Sequence, residues 1–161
     1  MRIVTFDPNK CVACRNCEYA CAYQHKQDFK RADAQIRVSF YPEERVCIPL
    51  TCIHCADAWC LNVCPAGAIS RNPQTGAVEI DQKKCKGCKM CMLACPYGNI
   101  HFDEEKMVSS KCDLCGGDPS CVKFCHCGAL QFEEAEDAFA YKRNSLDARL
   151  KQMVEKKRGV N

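Results

Sequence analysis

Four cysteine quartets at near-constant spacing govern what this chain can fold into. The first is Cys11-x2-Cys14-x2-Cys17-x3-Cys21, and the third is Cys85-x2-Cys88-x2-Cys91-x3-Cys95, followed by Pro96. The second, Cys52-x2-Cys55-x4-Cys60-x3-Cys64 followed by Pro65, and the fourth, Cys112-x2-Cys115-x5-Cys121-x3-Cys125, widen only the middle gap. Sixteen of the 18 cysteines in 161 residues fall into these groups, leaving Cys47 and Cys127. A chain this short has little room for an apolar core, so cysteines at this density must staple it, through disulfides or through metal.

The spacing favours metal. Two thiolates three positions apart in a tight loop face one side, and a third after another short step closes on the same centre. Backbone N–H groups of such a loop point inward and hydrogen-bond sulfur, steadying an anionic site. The fourth Cys is expected to open a helix and point away. In the bacterial ferredoxin pattern it ligates the other cluster of a pair, and Pro follows it. Four motifs then imply four 4Fe–4S clusters. Structural zinc prefers two Cys pairs across a longer spacer, or His at fixed offsets. A radical-generating cluster needs C-x3-C-x2-C, which Gln24, Gly67, Gly98 and Gly128 interrupt. A secreted disulfide scaffold calls for a charged-then-apolar leader, and residues 1–8 read as none, with no twin-Arg signal. No run approaches membrane-spanning length. The expected compartment is the cytoplasm, where Cys clusters bind metal.

Between the quartets, residues 2–6 read as a strand and residues 36–41 and 45–50 as two strands around Pro42-Glu43-Glu44. Residues 68–70 and 78–80 read as a hairpin, as do 100–102 with 106–108, and 129–132 is a last strand. With short helices after each fourth Cys, this describes an α+β fold of two ferredoxin-like units in residues 1–133. One hairpin links the second and third quartets, as in a two-cluster ferredoxin, so residues 52–64 pair with 85–95 and residues 11–21 with 112–125. Exchange of the fourth Cys gives Cys11, Cys14, Cys17 and Cys125 as one set, and Cys52, Cys55, Cys60 and Cys95 as the next. Cys85, Cys88, Cys91 and Cys64 form the third, and Cys112, Cys115, Cys121 and Cys21 the fourth.

The stretches Cys52-Ile53-His54-Cys55, Cys85-Lys86-Gly87-Cys88-Lys89-Met90-Cys91-Met92-Leu93-Ala94-Cys95-Pro96-Tyr97-Gly98 and Lys111-Cys112-Asp113-Leu114-Cys115 resemble the four-cluster electron-transfer subunits of the dimethyl-sulfoxide-reductase type. Related subunits serve molybdenum or tungsten oxidoreductases, formate dehydrogenases, carbon monoxide dehydrogenases and hydrogenases. Among them this chain is most similar to the small subunit of tungsten aldehyde oxidoreductase complexes. The resemblance implies a subunit, not itself an enzyme, that passes electrons between a catalytic oxidoreductase subunit and a second redox partner in a hetero-oligomer. Ala58-Trp59 depart from it where Pro is common, and His126 replaces the Pro after Cys125.

The remaining residues carry less. His54 sits between two ligands of one loop and either donates to a cluster sulfur or faces solvent. Cys47 and Cys127 read as small buried hydrophobes, His126 as a bystander, and Trp59 and Tyr97 as cluster shields. No phosphate loop, dinucleotide fingerprint or nucleophile constellation is present. Phe139, Leu146, Leu150 and Met153 recur at helical steps, so residues 134–161 read as an amphipathic arm, packed on the protein itself or docked on a partner. The formal charge of +3 is too weak to argue for nucleic acid. Four clusters with their thiolates add about −2 each and bring the total to about −5. A free soluble polyferredoxin and a structural zinc protein are the alternatives.

Overall fold

The computed structural model describes residues 1–157. Among these residues the strands pair only in twos. β1 (Arg2–Phe6) lies antiparallel to β8 (Leu130–Glu134), with Val4 opposite Phe132, so the two ends of the cysteine-bearing region meet. β2 (Arg37–Tyr41) pairs with β3 (Val46–Leu50), β4 (Ile69–Arg71) with β5 (Val78–Ile80), and β6 (His101–Asp103) with β7 (Val108–Ser110). Two-stranded ribbons are marginal alone. Here they rest on cores built partly of sulfur. Val4, Ile36, Val38, Leu114 and Leu130 pack with Cys17, Cys21, Cys112 and Cys121, while Ile69, Val78 and Ile100 pack with Cys91.

The helices differ from the expected placement. α1 (Asn16–Lys26), α2 (Trp59–Asn62), α3 (Met90–Ala94) and α4 (Ser120–Lys123) each contain the third Cys of a quartet and do not follow the fourth. The reason lies in the spacing itself: third and fourth Cys are four residues apart, one helical turn, and so share a face. Pro65 and Pro96 then end the turn. The hairpin expected at residues 100–102 and 106–108 is also shifted. Asp103 accepts the Lys106 N–H through its carboxylate and Met107 is left-handed, so residues 104–107 form the turn.

α1 is fastened from its first turn. Buried Glu18 accepts the Val38 N–H at 2.8 Å and lies 3.8 and 3.5 Å from the Arg15 and Arg31 guanidinium groups. At the other end, α5 (Ala135–Lys157) starts directly after β8. Ala135 and Ala138 pack on Ile3, the Ala135 N–H donates to the Met1 carbonyl, and the N-terminal ammonium meets Glu134 at 2.8 Å. Further along, Leu146, Leu150 and Met153 are exposed; the Phe139 side chain lies outside the described residues. No helix among the described residues is long and apolar enough to cross a membrane.

Candidate metal centres

Each cysteine loop is bent at one recurring position. The residue before the second Cys is left-handed in all four quartets: Ala13 (φ 54°), His54 (φ 49°), Gly87 (φ 66°) and Leu114 (φ 58°). Only glycine adopts this region without strain, so three side-chain-bearing residues held there mark a constraint imposed by the site. At Gly87 the constraint is doubled, since a Cβ would run into the Met107 carbonyl. The bend turns amides onto sulfur. The His54 N–H points at Cys52 Sγ and the Leu114 N–H at Cys112 Sγ, each at 3.4 Å.

The fourth cysteines are served similarly. Gly67, Gly98 and Gly128, each three residues past a fourth Cys, have positive φ and bond back to its carbonyl. The chain then lays the Ala68 N–H on Cys64 Sγ and the Leu130 N–H on Cys125 Sγ, both at 3.3 Å. In the first quartet the equivalent residue, Gln24, continues α1, and Cys21 Sγ takes its amide from Gln35 at 3.1 Å. Such donors steady anionic sulfur without adding a titratable group.

The cysteines converge across quartets. One cavity is lined by Cys52, Cys55, Cys60 and Cys95, another by Cys64, Cys85, Cys88 and Cys91. Cys121 lies within electrostatic reach of Cys112, Cys21 and Cys115, and Cys17 of Cys125 and Cys14. Cys11 is in reach of Cys125, but also of Cys47 and Cys127. Both cysteines outside the quartets therefore sit beside the first loop. Cys47 is buried in β3, and Cys127 Sγ lies 3.8 Å from Cys125 Sγ. His126 is engaged with Asn16 at 3.5 Å. Trp59 and Tyr97 line the first-named cavity while remaining more than half exposed.

Burial pushes the Cys17 and Cys112 thiols up to about 12, and raises Cys121 too. Thiolates at these positions need a cation brought to them, which a metal centre supplies. The chain provides some positive charge of its own. Hydrogen bonds to Asp113 and Cys21 raise His25 to about 11; its Nδ1 bonds the Cys21 carbonyl at 2.8 Å and its Nε2 meets Asp113 at 3.0 Å. Asp113 is held low by that bond, against the upward push of burial. Although His25, Asp113 and Cys115 have ligand atoms within 4.8 Å of one another, His25 and Asp113 are already committed to each other.

Two cations support the loops: Arg71, which no motif marks, and Lys111, which stands directly before the fourth quartet. The Arg71 guanidinium bonds the carbonyls of Cys55 (2.5 Å), Ala56 (3.0 Å) and Gly76 (2.8 Å), clamping the second loop from β4. Buried Lys111 donates to the Val78 carbonyl and, at 2.9 Å, to that of Cys112, between the second and fourth loops. The only sequence signal of Arg71 is a cation beside a β-hairpin, and that of Lys111 is its place at the head of the stretch Lys111-Cys112-Asp113-Leu114-Cys115. His54 is fully buried, not solvent-facing; burial, then the Lys111 and Arg71 charges, hold its pKa down at about 3. Lys111→Met should leave two buried carbonyls without donors and reduce stability by about 3 kcal/mol. Urea denaturation followed by circular dichroism measures this, and an unchanged midpoint would show that the ammonium contributes nothing.

The chain matches the model of the 4Fe-4S dicluster domain over residues 44–135 and that of a 4Fe-4S binding domain over residues 3–25. It is similar to the polyferredoxin-like subunit of an aliphatic sulfonate oxidoreductase from Pyrococcus furiosus, at 39% identity over 124 residues, covering 76% of this chain and 70% of that one. A putative electron transport protein of Escherichia coli strain K12, YsaA, is 39% identical over 145 residues, covering 84% and 91%. Among solved structures, the benzoyl coenzyme A reductase complex BamBC as isolated contains a chain with TM-score 0.49 at 22% identity, covering 96% of this chain and 97% of that one.

Proposed function

Since the chain belongs to the 4Fe-4S dicluster domain family of iron–sulfur electron-transfer subunits, we propose that it relays single electrons through four 4Fe–4S sites between a catalytic oxidoreductase subunit and a second redox partner. The observation that carries this is the convergence of four sulfurs, three from one quartet and one from another, in each of two cavities. We assign Cys52, Cys55, Cys60 and Cys95 to one site and Cys85, Cys88, Cys91 and Cys64 to its neighbour. Cys11, Cys14, Cys17 and Cys125 make the next, and Cys112, Cys115, Cys121 and Cys21 the last. The donor set suits such a group: four soft sulfurs, backbone amides on them, and thiols whose burial calls for a cation. Bound there, 4Fe–4S clusters supply one-electron exchange with little rearrangement.

The protein arranges these sites in sequence. Cys17 and Cys21 share α1 and join the first set to the fourth. Cys112 and Cys52 lie within electrostatic reach and join the fourth to the second. Exchange of Cys64 and Cys95 joins the second to the third. A row of sites in that order is what a relay between two partners requires. No residue is assigned to substrate, so group chemistry belongs to the partner. The two units of residues 1–133 and the arm of residues 134–161 complete the reading. For the partner we favour, on the resemblance, a molybdenum or tungsten oxidoreductase, with aldehyde oxidoreductase as first choice. A sulfonate oxidoreductase is the relative's own context.

Anaerobically reconstituted protein should hold about sixteen iron and about sixteen acid-labile sulfide per chain. About eight of each would halve the relay, and zinc without sulfide would end the reading. Anaerobic co-purification, with tungsten and molybdenum measured in the captured large subunit, tests the partner.

A further inference from the structure

We propose that His54 is a hydrogen-bond donor that raises the reduction potential of the one centre held by Cys52, Cys55, Cys60 and Cys95. This rests on the cluster reading above. The His54 ring is fully buried, and its Nδ1 lies 3.0 Å from the Val78 backbone nitrogen. An amide N–H only donates, so Nδ1 carries the lone pair and the ring proton sits on Nε2. That Nε2 has no hydrogen-bond partner among the described residues. A buried donor left without an acceptor is rare in native proteins and calls for one.

The ring lines the cavity that the four cysteines share. Lys111, on the same cavity, has only donors, and gives them to the Val78 and Cys112 carbonyls. Nε2 bonds no cysteine Sγ among the described residues, so the acceptor assigned to Nε2–H is a sulfide of the group that the four cysteines would hold. The ring cannot turn away easily. Val78 fixes one nitrogen, and Arg71 holds the carbonyls of Cys55 and Ala56 just beyond it. The His54 backbone amide already points at Cys52 Sγ, so one residue brings two donors to one centre.

The other three loops show that this is particular to one site. Their residues at the same left-handed position are Ala13, Gly87 and Leu114, whose side chains donate nothing. Donors on cluster sulfur favour the reduced, more negative form and so raise the potential. The second centre should then stand above the potential that its burial and charge alone would set.

The test uses the full-length reconstituted protein. Redox titration followed by electron paramagnetic resonance compares wild type, His54→Leu and His54→Gln, with iron and sulfide measured on each. His54→Leu should change the oxidised-to-reduced ratio of one centre about tenfold at fixed potential, a fall of about 59 mV for one electron. The other centres should not move. His54→Gln places an N–H near the Nε2 position and should restore most of the shift. In wild type exchanged into D2O, pulsed resonance should detect a deuteron coupled to this centre that is lost in His54→Leu. Full iron content with no potential shift and no such deuteron would overturn the role of His54 alone. Iron loss in His54→Leu, with a normal potential in His54→Gln and no coupled deuteron in wild type, would make the residue structural and overturn it too. If Cys55→Ala leaves iron unchanged, no cluster occupies this cavity, and the cluster reading fails together with the inference.

Discussion

Cys88→Ser should remove one cluster, up to about four iron atoms per chain, and Cys47→Ser should remove none. Burial alone would rank the two the other way, because Cys88 is exposed and Cys47 is 7% exposed. The expectation comes from chemistry. Cys88 is the middle cysteine of a loop that Gly87 and Lys89 bend on both sides, and it lines a cavity with Cys64, Cys85 and Cys91. Serine oxygen is a poor replacement for soft thiolate. In a domain whose core is partly sulfur, metal binding is folding free energy, so the Cys88 variant should also melt earlier. Cys47 instead alternates inward on β3 opposite Phe40, and a buried serine hydroxyl there costs about 1–3 kcal/mol without touching iron. Iron and sulfide content of both variants, reconstituted side by side, decides. Equal iron loss would mean that Cys47 is a ligand, at the site assigned to Cys11, which lies within its electrostatic reach.

Much of this architecture is legible in the sequence because its signals are local. Quartet spacing places the sulfurs, and turn residues between β-branched runs place β2 to β5 within a residue or so of their limits. The helices α1 to α4 lie one step earlier than the ferredoxin pattern suggests, because the four-residue step from third to fourth Cys already encodes the turn. The supporting groups are hidden for a different reason. Arg71 reaches carbonyls 15 and 16 residues away, Lys111 one 33 residues away, and His54 an amide 24 residues away. No periodicity links such positions; they meet only because hairpin β4–β5 folds over the second loop. His25 is the partial exception, since it stands four residues after Cys21 on the same face of α1. Its partner Asp113, 88 residues on, is not legible at all.

Ending the chain after Ala140 should leave iron and sulfide unchanged and weaken binding to the catalytic subunit about a hundredfold. The cut is chosen from the structure. It keeps β8 whole, keeps Glu134 on the N-terminal ammonium, and keeps Ala135 and Ala138 on Ile3, so the domain's own packing survives. What it removes is the segment bearing Leu146, Leu150 and Met153, which stand 54%, 48% and 60% exposed along one stretch of α5. Covering three half-exposed side chains contributes about 3 kcal/mol, which is about a hundredfold in Kd. None of the three lies in a cysteine loop, so reduction of the truncated protein by an artificial dye should proceed as before, while transfer from the enzyme partner slows. If the stripe instead stabilises this chain itself, truncation should lower the melting temperature and deplete iron while leaving capture of the large subunit intact. Iron content and pull-down measured on one preparation distinguish an arm for a partner from a cover for the clusters.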